Sequence, residues 1–399
     1  MTGQQTVSVD VVIFGGGVAG LWLLARLRQA NYNAILVEAD ALGTGQTRYA
    51  QGIIHGGTKY ALTGKLTASS EAVTQMPAVW RACLQGEGEV DLRQVKILSP
   101  HQYMWSTTSL TSRMAGFFAS HVMRSRTKSL DKKARPRVFQ DAGFKGHVYQ
   151  LEEPVLDTAS IIASLAQPHL DAILHAEVET ITVQDDAASQ LVLQASDGTK
   201  WNVYARRVVL AAGQGNAKLL TAMGRETPAM QLRPLQMVIL RGGLPEMLYA
   251  HCLGASVNPR MTITSHYDAH QNIVWYLGGQ LAEDGVTRSE AEQIQVAQHE
   301  LQDLMPWLDL AQTQWATLRI DRAEPKQPEN KRPDTSYFDD TQGVITAWPT
   351  KMALAPKLAA DVLQQLEQTG VSASGIQTLP AWPHPALALL PWQEEQRWN

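Results

Sequence analysis

The chain has 399 residues, 44% hydrophobic and 18% charged, with 34 Lys and Arg against 38 Asp and Glu for a formal net charge of −4. This composition excludes a disordered chain and a membrane-protein bias, and gives no global attraction to nucleic acid. The length exceeds what one hydrophobic core supports, which predicts two interleaved domains.

The opening MTGQQTVSVD has no basic n-region and is not expected to be a signal peptide. Residues 9–14 (VDVVIF) form an apolar, β-branched run suited to a strand buried on both faces of a parallel sheet. From Val18 to Ala30, Leu21, Leu24, Ala25 and Leu27 fall at helical spacing, and AILVE at 34–38 returns to strand, completing a βαβ unit. Leu42 to Gly57 is rich in Gly, Thr and Gln without apolar periodicity and predicts a loop, entering a short helix near Gln51. Residues 68–84 read as helix and 95–105 as one or two strands.

A basic stretch at 111–137 holds Arg113, Arg124, Arg126, Lys128, Lys132, Lys133, Arg135 and Arg137 against the single acid Asp131. It suits a solvated helix face, an anionic lipid surface or the steering of an anionic substrate. Residues 160–170 predict a helix, 176–183 and 190–196 a strand pair, and 203–210 a strand leading into Ala211, Ala212 and Gly213. Alternating segments between 230 and 280 predict a mostly antiparallel sheet. Residues 289–304 form an amphipathic helix, 315–335 read as irregular and charged, 343–348 as a last strand and 352–368 as a last helix. Beyond Gly370, four prolines among Trp382, Trp392 and Trp398 preclude regular structure and leave either an ordered wrap or a mobile end. Cys83 and Cys252 lie far apart without a Cys/His cluster, so neither a disulfide framework nor a metal site is expected. No run approaches the roughly 20 apolar residues of a membrane span.

Gly15, Gly17 and Gly20 satisfy G-x-G-x-x-G between strand and helix. The first allows the tight turn, the second lets backbone approach a pyrophosphate, and the third permits close helix packing. Glu38 ends the second strand, where a carboxylate can accept both hydroxyls of an adenosine ribose and disfavours a 2′-phosphate. FAD or NAD therefore remains. The strand ending in Ala212-Gly213 and the small-residue loop GTGQT at 43–47 with QGIIHGGTKYAL at 51–62 favour FAD, because glycines let backbone reach a flat cofactor.

These motifs resemble the D-amino acid oxidase superfamily of FAD enzymes, and QGIIHGGTKYALTGKLTASS is most similar to the corresponding loop of glycerol-3-phosphate and L-2-hydroxyglutarate dehydrogenases. The resemblance implies non-covalent FAD held by Gly15, Gly17, Gly20 and Glu38, with Thr44, Gln51, Gly52, Ile53 and Ile54 along the flavin and Val178 meeting the adenine through its backbone. It implies that Ala212 and Gly213 return the chain to the pyrophosphate, and that Thr350, Lys351 and Met352 open the last helix beside the flavin. There a cation would stabilise arriving negative charge. His55 is placed to accept a hydroxyl proton or orient the substrate, and the alternative is that it only bonds its own loop. Arg319 and Arg322 match the region that grips a substrate carboxylate or phosphate, the alternative being surface pairs with Asp321 or Glu324. Tyr60 and His266 are further pocket candidates.

The expected architecture is α/β: a Rossmann-like FAD-binding domain from 1–85, 150–220 and 340–370, a mostly antiparallel substrate domain from 86–149 and 221–339, and a tail at 371–399. The expected reaction is hydride transfer to flavin from a small, anionic 2-hydroxy acid or polyol phosphate, with electrons passed to a quinone, oxygen or a protein. Amine oxidation on the same fold and a flavin-binding subunit without turnover are the alternatives. A cytoplasmic location follows, peripheral on the inner membrane face if the basic stretch binds lipid.

Overall fold

The computed structural model describes residues 5–57, 68–107, 127–184, 188–253 and 259–398. In chain order the strands are β1 (Gln5–Phe14), β2 (Ala34–Glu38), β3 (Ile97–Ser99), β4 (Gln102–Ser106), β5 (Thr127–Ser129), β6 (His147–Leu151), β7 (Val155–Leu156), β8 (Ile173–Thr182), β9 (Ser189–Ala195) and β10 (Lys200–Leu210). They continue with β11 (Met230–Arg241), β12 (Ala250–Cys252), β13 (Met261–Tyr267), β14 (Ile273–Gly278), β15 (Gln314–Pro325), β16 (Tyr337–Thr341) and β17 (Val344–Trp348). The helices are α1 (Val18–Gln29), α2 (Ala68–Gln85), α3 (Thr158–Ala166), α4 (Gly215–Ala222), α5 (Gln280–Asp284), α6 (Glu290–Leu304) and α7 (Ala355–Gln368).

The first sheet is parallel through its centre, where β8, β2, β1, β10 and β17 lie side by side and β16 adds an antiparallel edge. β8 and β10 extend past this centre and are joined antiparallel through β9. The continuous apolar runs of β1 and β2 are explained by burial on both faces: Val11, Ile13 and Leu36 meet α1, α3 and α7, while Val12, Ile35 and Val37 face the β9 side. α1 is buried nearly all round, and Trp22 packs against Trp80 of α2 with ring centroids 4.7 Å apart.

The second sheet has the order β15-β11-β14-β13-β12-β4-β6-β5 and is antiparallel except between β12 and β4. α6 covers one face. Its N-terminus is closed by a capping box in which Ser289 and Glu292 each bond the other's backbone. The α/β class with a second, mostly antiparallel sheet is the expected one.

Two expectations are corrected, and one left open is decided. Residues 315–325 are not irregular, because Gln314–Pro325 pairs along its whole length with β11, whereas 326–335 hold only a 3₁₀ turn at Pro328–Asn330; Arg319 and Asp321 alternate outward while Leu318 and Ile320 are buried, so the charges conceal a strand period of two. Among the described residues no helix forms near Gln51; Ile53 instead bridges Val155. The segment beyond Gly370 is an ordered wrap, with Trp382, Leu390, Trp392 and Trp398 all buried. The first part of the basic stretch, 111–126, and Tyr60 lie outside the described residues. No helix among the described residues is long and apolar enough to cross a membrane.

The approach of α1 to the turn before it admits no side chain: a Cβ on Gly20 would lie 2.0 Å from the Gly15 carbonyl oxygen. Gly20→Ala is expected to displace α1 and to cost about 1–3 kcal/mol, the ordinary penalty of overpacking, read from urea denaturation. A variant as stable as the parent would contradict this packing.

Candidate functional site

Gly15 leaves β1 at φ +111°, and a Cβ there would sit 2.6 Å from the Ala211 carbonyl oxygen, so the turn excludes other residues on both counts. Gly17 precedes α1 and offers no side-chain cap, and Thr47 supplies one from the following loop, its Oγ1 accepting from the Val18 N–H at 3.2 Å. Glu38 is fastened to the same turn. One carboxylate oxygen accepts from the Gly16 N–H at 2.6 Å and the other from Asp40 at 2.9 Å. Beside it, the Ala212 N–H donates to buried Asn216, and Gly213, at φ +59°, accepts at its carbonyl from the Trp348 indole at 3.1 Å. Gly15, Gly17, Gly20, Glu38, Ala212 and Gly213 therefore form one locality. Val178 is half-buried on the β8 extension, where the pairing with β9 slips register.

The loop after β2 lies across this turn. Gly43 donates to the Gly16 carbonyl, and Gln46, Thr47, Tyr49, Ala50 and Gln51 line a cleft between the two sheets. Gln51 reaches the second sheet, donating toward Thr264 Oγ1 at 3.4 Å and the Tyr276 carbonyl at 3.3 Å. Other loop residues face elsewhere. Thr44 turns back to the Ala41 carbonyl, Gly52 packs on Leu156, and the Ile53 and Ile54 side chains enter two separate cores, so only their backbone remains for a ligand.

His55 lines the cleft with its Nδ1 3.5 Å from Glu153 Oε2. Glu153 is itself buried and fixed, accepting from the Gly56 N–H at 2.7 Å and from the Gln102 amide. His251 stacks on His55 with centroids 5.6 Å apart and shares a hydrogen bond with Thr262. The same cleft receives Arg322, Arg332, Lys351 and Glu283. Burial, and then repulsion from Arg233 and Arg332, bring Arg322 down to about 9, against the pull of Glu283 at 3.8 Å and of Glu324. Burial likewise lowers Lys351 to about 7, although its ammonium donates to the Asp334 carbonyl at 3.0 Å. Thr350, before it, holds φ +60°, a backbone region that a β-branched residue rarely occupies. Thr350, Lys351 and Met352 all line the cleft, and a 3₁₀ turn at Met352–Leu354 leads into α7.

Strand alternation corrects the placement of Arg319: it points away from the cleft and donates to the Arg288 carbonyl. His266 is also misplaced by sequence reasoning. It is 2% exposed, stacked at 3.6 Å on Trp392, and burial depresses it to about 3. Sequence reasoning missed Glu153, His251, Gln102, Arg332 and Glu283. Of these, only Glu153 carried a signal, in EEPVLD at 152–157.

Residues 10–348 match the family model described as FAD dependent oxidoreductase. A probable FAD-dependent oxidoreductase of Pseudomonas aeruginosa, PA4991, is 48% identical over 391 residues, 98% of each chain. Its crystal structure superposes with a TM-score of 0.83 at 43% identity, covering 98% of this chain and 99% of that one. Glycine oxidase from Geobacillus kaustophilus has a TM-score of 0.64 at 17% identity, over 90% of this chain and 95% of that one. The glycerol-3-phosphate dehydrogenase from Bacillus halodurans complexed with FAD has 0.58 at 15%, over 92% and 66%. The latter two show a shared fold.

Because Lys351 is lowered from 10.5 to about 7, the unfolded chain holds a proton between those values that the folded chain lacks, and this lysine makes stability rise with pH across that window. Lys351→Met removes the dependence. The melting temperature of the apoprotein variant relative to wild type should be highest at pH 6 and should fall by pH 9.5; a flat or rising difference would refute a buried, depressed Lys351.

Proposed function

The chain belongs to the family of FAD-dependent oxidoreductases, and on that premise we propose that it oxidises a small anionic substrate at a C–OH carbon, with His55 accepting the hydroxyl proton and Arg322 holding the anionic group. FAD, when bound, supplies the two-electron acceptor for the hydride. The residues present fit it. A glycine turn that collides with any Cβ adjoins the α1 N-terminus for a pyrophosphate, and Glu38 stands ready for ribose hydroxyls. The cleft that follows has a volume of about 280 Å³, near the lower bound of the roughly 300–1,000 Å³ of common small-molecule sites, and opens to solvent at its mouth. A cysteinyl attachment does not fit: Cys83 and Cys252 are buried in cores, and burial pushes Cys252 up to about 12.

The single observation carrying the reading is that one cleft holds both a histidine backed by a carboxylate and a group of cations. An imidazole that takes a proton gains from the nearby Glu153, and Glu153 is kept in place by Gly56 and Gln102. Arg322 and Arg332 repel each other, and an anion between them relieves that cost while filling the donors of a guanidinium fork. Lys351 adds a third cation whose charge an anion would restore. Glu153 faces His55, which leaves Glu283 as the cleft carboxylate favouring an amine substrate, since a carboxylate suits an ammonium. It is already engaged by Arg233 at 3.7 Å and Arg322 at 3.8 Å, which weighs against that use.

Anaerobic mixing with 2-hydroxy acids, polyol phosphates and amino acids should bleach the flavin bands with a hydroxy substrate. His55→Asn should slow that bleaching by about 10²–10⁴-fold with FAD still bound. Arg322→Met should raise the apparent substrate Kd by about 10–150-fold, the loss of one charged hydrogen-bonding partner. Bleaching by amino acids alone would overturn the hydroxyl reading.

A further inference from the structure

The C-terminal segment 380–398 has no regular secondary structure beyond short 3₁₀ turns, yet it is bonded along its course to both sheets. Its first part docks on the first sheet. The Pro383 carbonyl accepts from His175 at 2.8 Å, His384 Nδ1 lies 2.9 Å from the Ile173 carbonyl, and Trp382 meets Trp201 edge-on. The middle part pairs with the flavin-side loop: Leu42 donates to the Ala386 carbonyl at 2.8 Å and its own carbonyl accepts from Ala388 at 2.9 Å. The last part docks on the second sheet, where Leu390, Trp392 and Trp398 are buried with Ile239, Tyr276 and Ile320. Trp392 stacks on His266, and Arg241 lies over Trp398 at 4.4 Å.

The loop this segment grips is the wall of the glycine turn. Leu42 occupies the space above Gly16, Gly43 bonds the Gly16 carbonyl, and Thr47 caps α1. Between Leu42 and Gln51 this loop has no ladder or helix of its own to hold it. Its second tie to the tail is an ion pair between Arg48 and Glu394, with side chains only 15% and 14% exposed, and Glu394 is steadied by Arg397 at 2.5 Å. A pair so far removed from water is costly to break, because the surviving partner keeps its charge without its counter-ion.

We propose that the C-terminal segment is a working part of the FAD site: by pinning Leu42 and Arg48 it positions the loop whose Thr47 and Gly43 complete the pyrophosphate turn. Glu394 and Arg48 are thus positioning residues, acting on the cofactor through the loop and not by touching it. The consequence is specific. Loosening this tie weakens FAD binding while both sheets keep their own cores.

The test is direct titration of FAD into apoprotein, followed by quenching of flavin fluorescence, which needs no substrate and is indifferent to what the enzyme oxidises. Glu394→Ala and Arg48→Glu should each weaken FAD binding by about tenfold or more. The swapped pair, Arg48→Glu with Glu394→Arg, made together with Arg397→Glu so that residue 394 keeps an oppositely charged neighbour, should recover most of the loss, and a chain ending at Leu379 should bind FAD still more weakly. The swap keeps the proposal testable if the shortened chain fails to fold. Unchanged affinity in the single variants, or a loss that the swapped pair does not recover, would overturn the proposal.

Discussion

The contact on which the rest of the structure depends is the approach of Gly20 to the Gly15 carbonyl, too close for a Cβ on Gly20. It seats α1 against the end of β1, so that the helix N-terminus opens directly over the turn. Once α1 is seated, Gly16 falls within reach of Glu38, Val18 within reach of Thr47, and Gly15 against Ala211 at the end of β10. Three crossings of the chain, separated by up to about two hundred residues, are held together around one helix end. The energy comes chiefly from burial of Leu21, Trp22, Leu24 and Leu27 beneath α1, at about 1.5–3 kcal/mol per fully buried large side chain.

The site is an intersection in the same sense. Its walls come from the loop after β2, from β4 and the turn before β7, from β12 and β13, from β15, and from the turn before α7. No short segment contains the chemistry. Glu153 meets His55 only because β7 runs beside the loop at Ile53, and Arg322 joins Lys351 in one cleft only because β15 and β17 bring their ends together there. The charges in the cleft are unbalanced toward the cationic side. Burial works against this imbalance, since it lowers Arg322 and Lys351 below their ordinary values and so favours their neutral forms until an anion joins them.

What could be read without coordinates follows from range. The glycine turn, α1, β2 and Glu38 are contiguous, and each step has a local steric or periodic signature, so the nucleotide fold was legible. The charged character of β15 misled, because Arg319, Asp321, Arg322 and Glu324 interleave with the apolar residues that mark a half-buried strand. The proline-rich tail was ambiguous for a related reason: its order comes from tryptophans inserted into distant cores, which no window of sequence displays.

By itself, then, the sequence determined the glycine turn between strand and helix and the α/β class with a second, mostly antiparallel sheet, since these rest on backbone sterics and on periods of 2 and 3.6 residues. Only the tertiary structure decided which charged residues share a cleft. It turned Arg319 outward and Arg322 inward by the alternation of one strand, buried His266 under Trp392, and set Glu153 behind His55. The physical reason is that a side chain's partners are set by strand register and by the packing of segments remote in sequence, and neither is encoded near the residue itself.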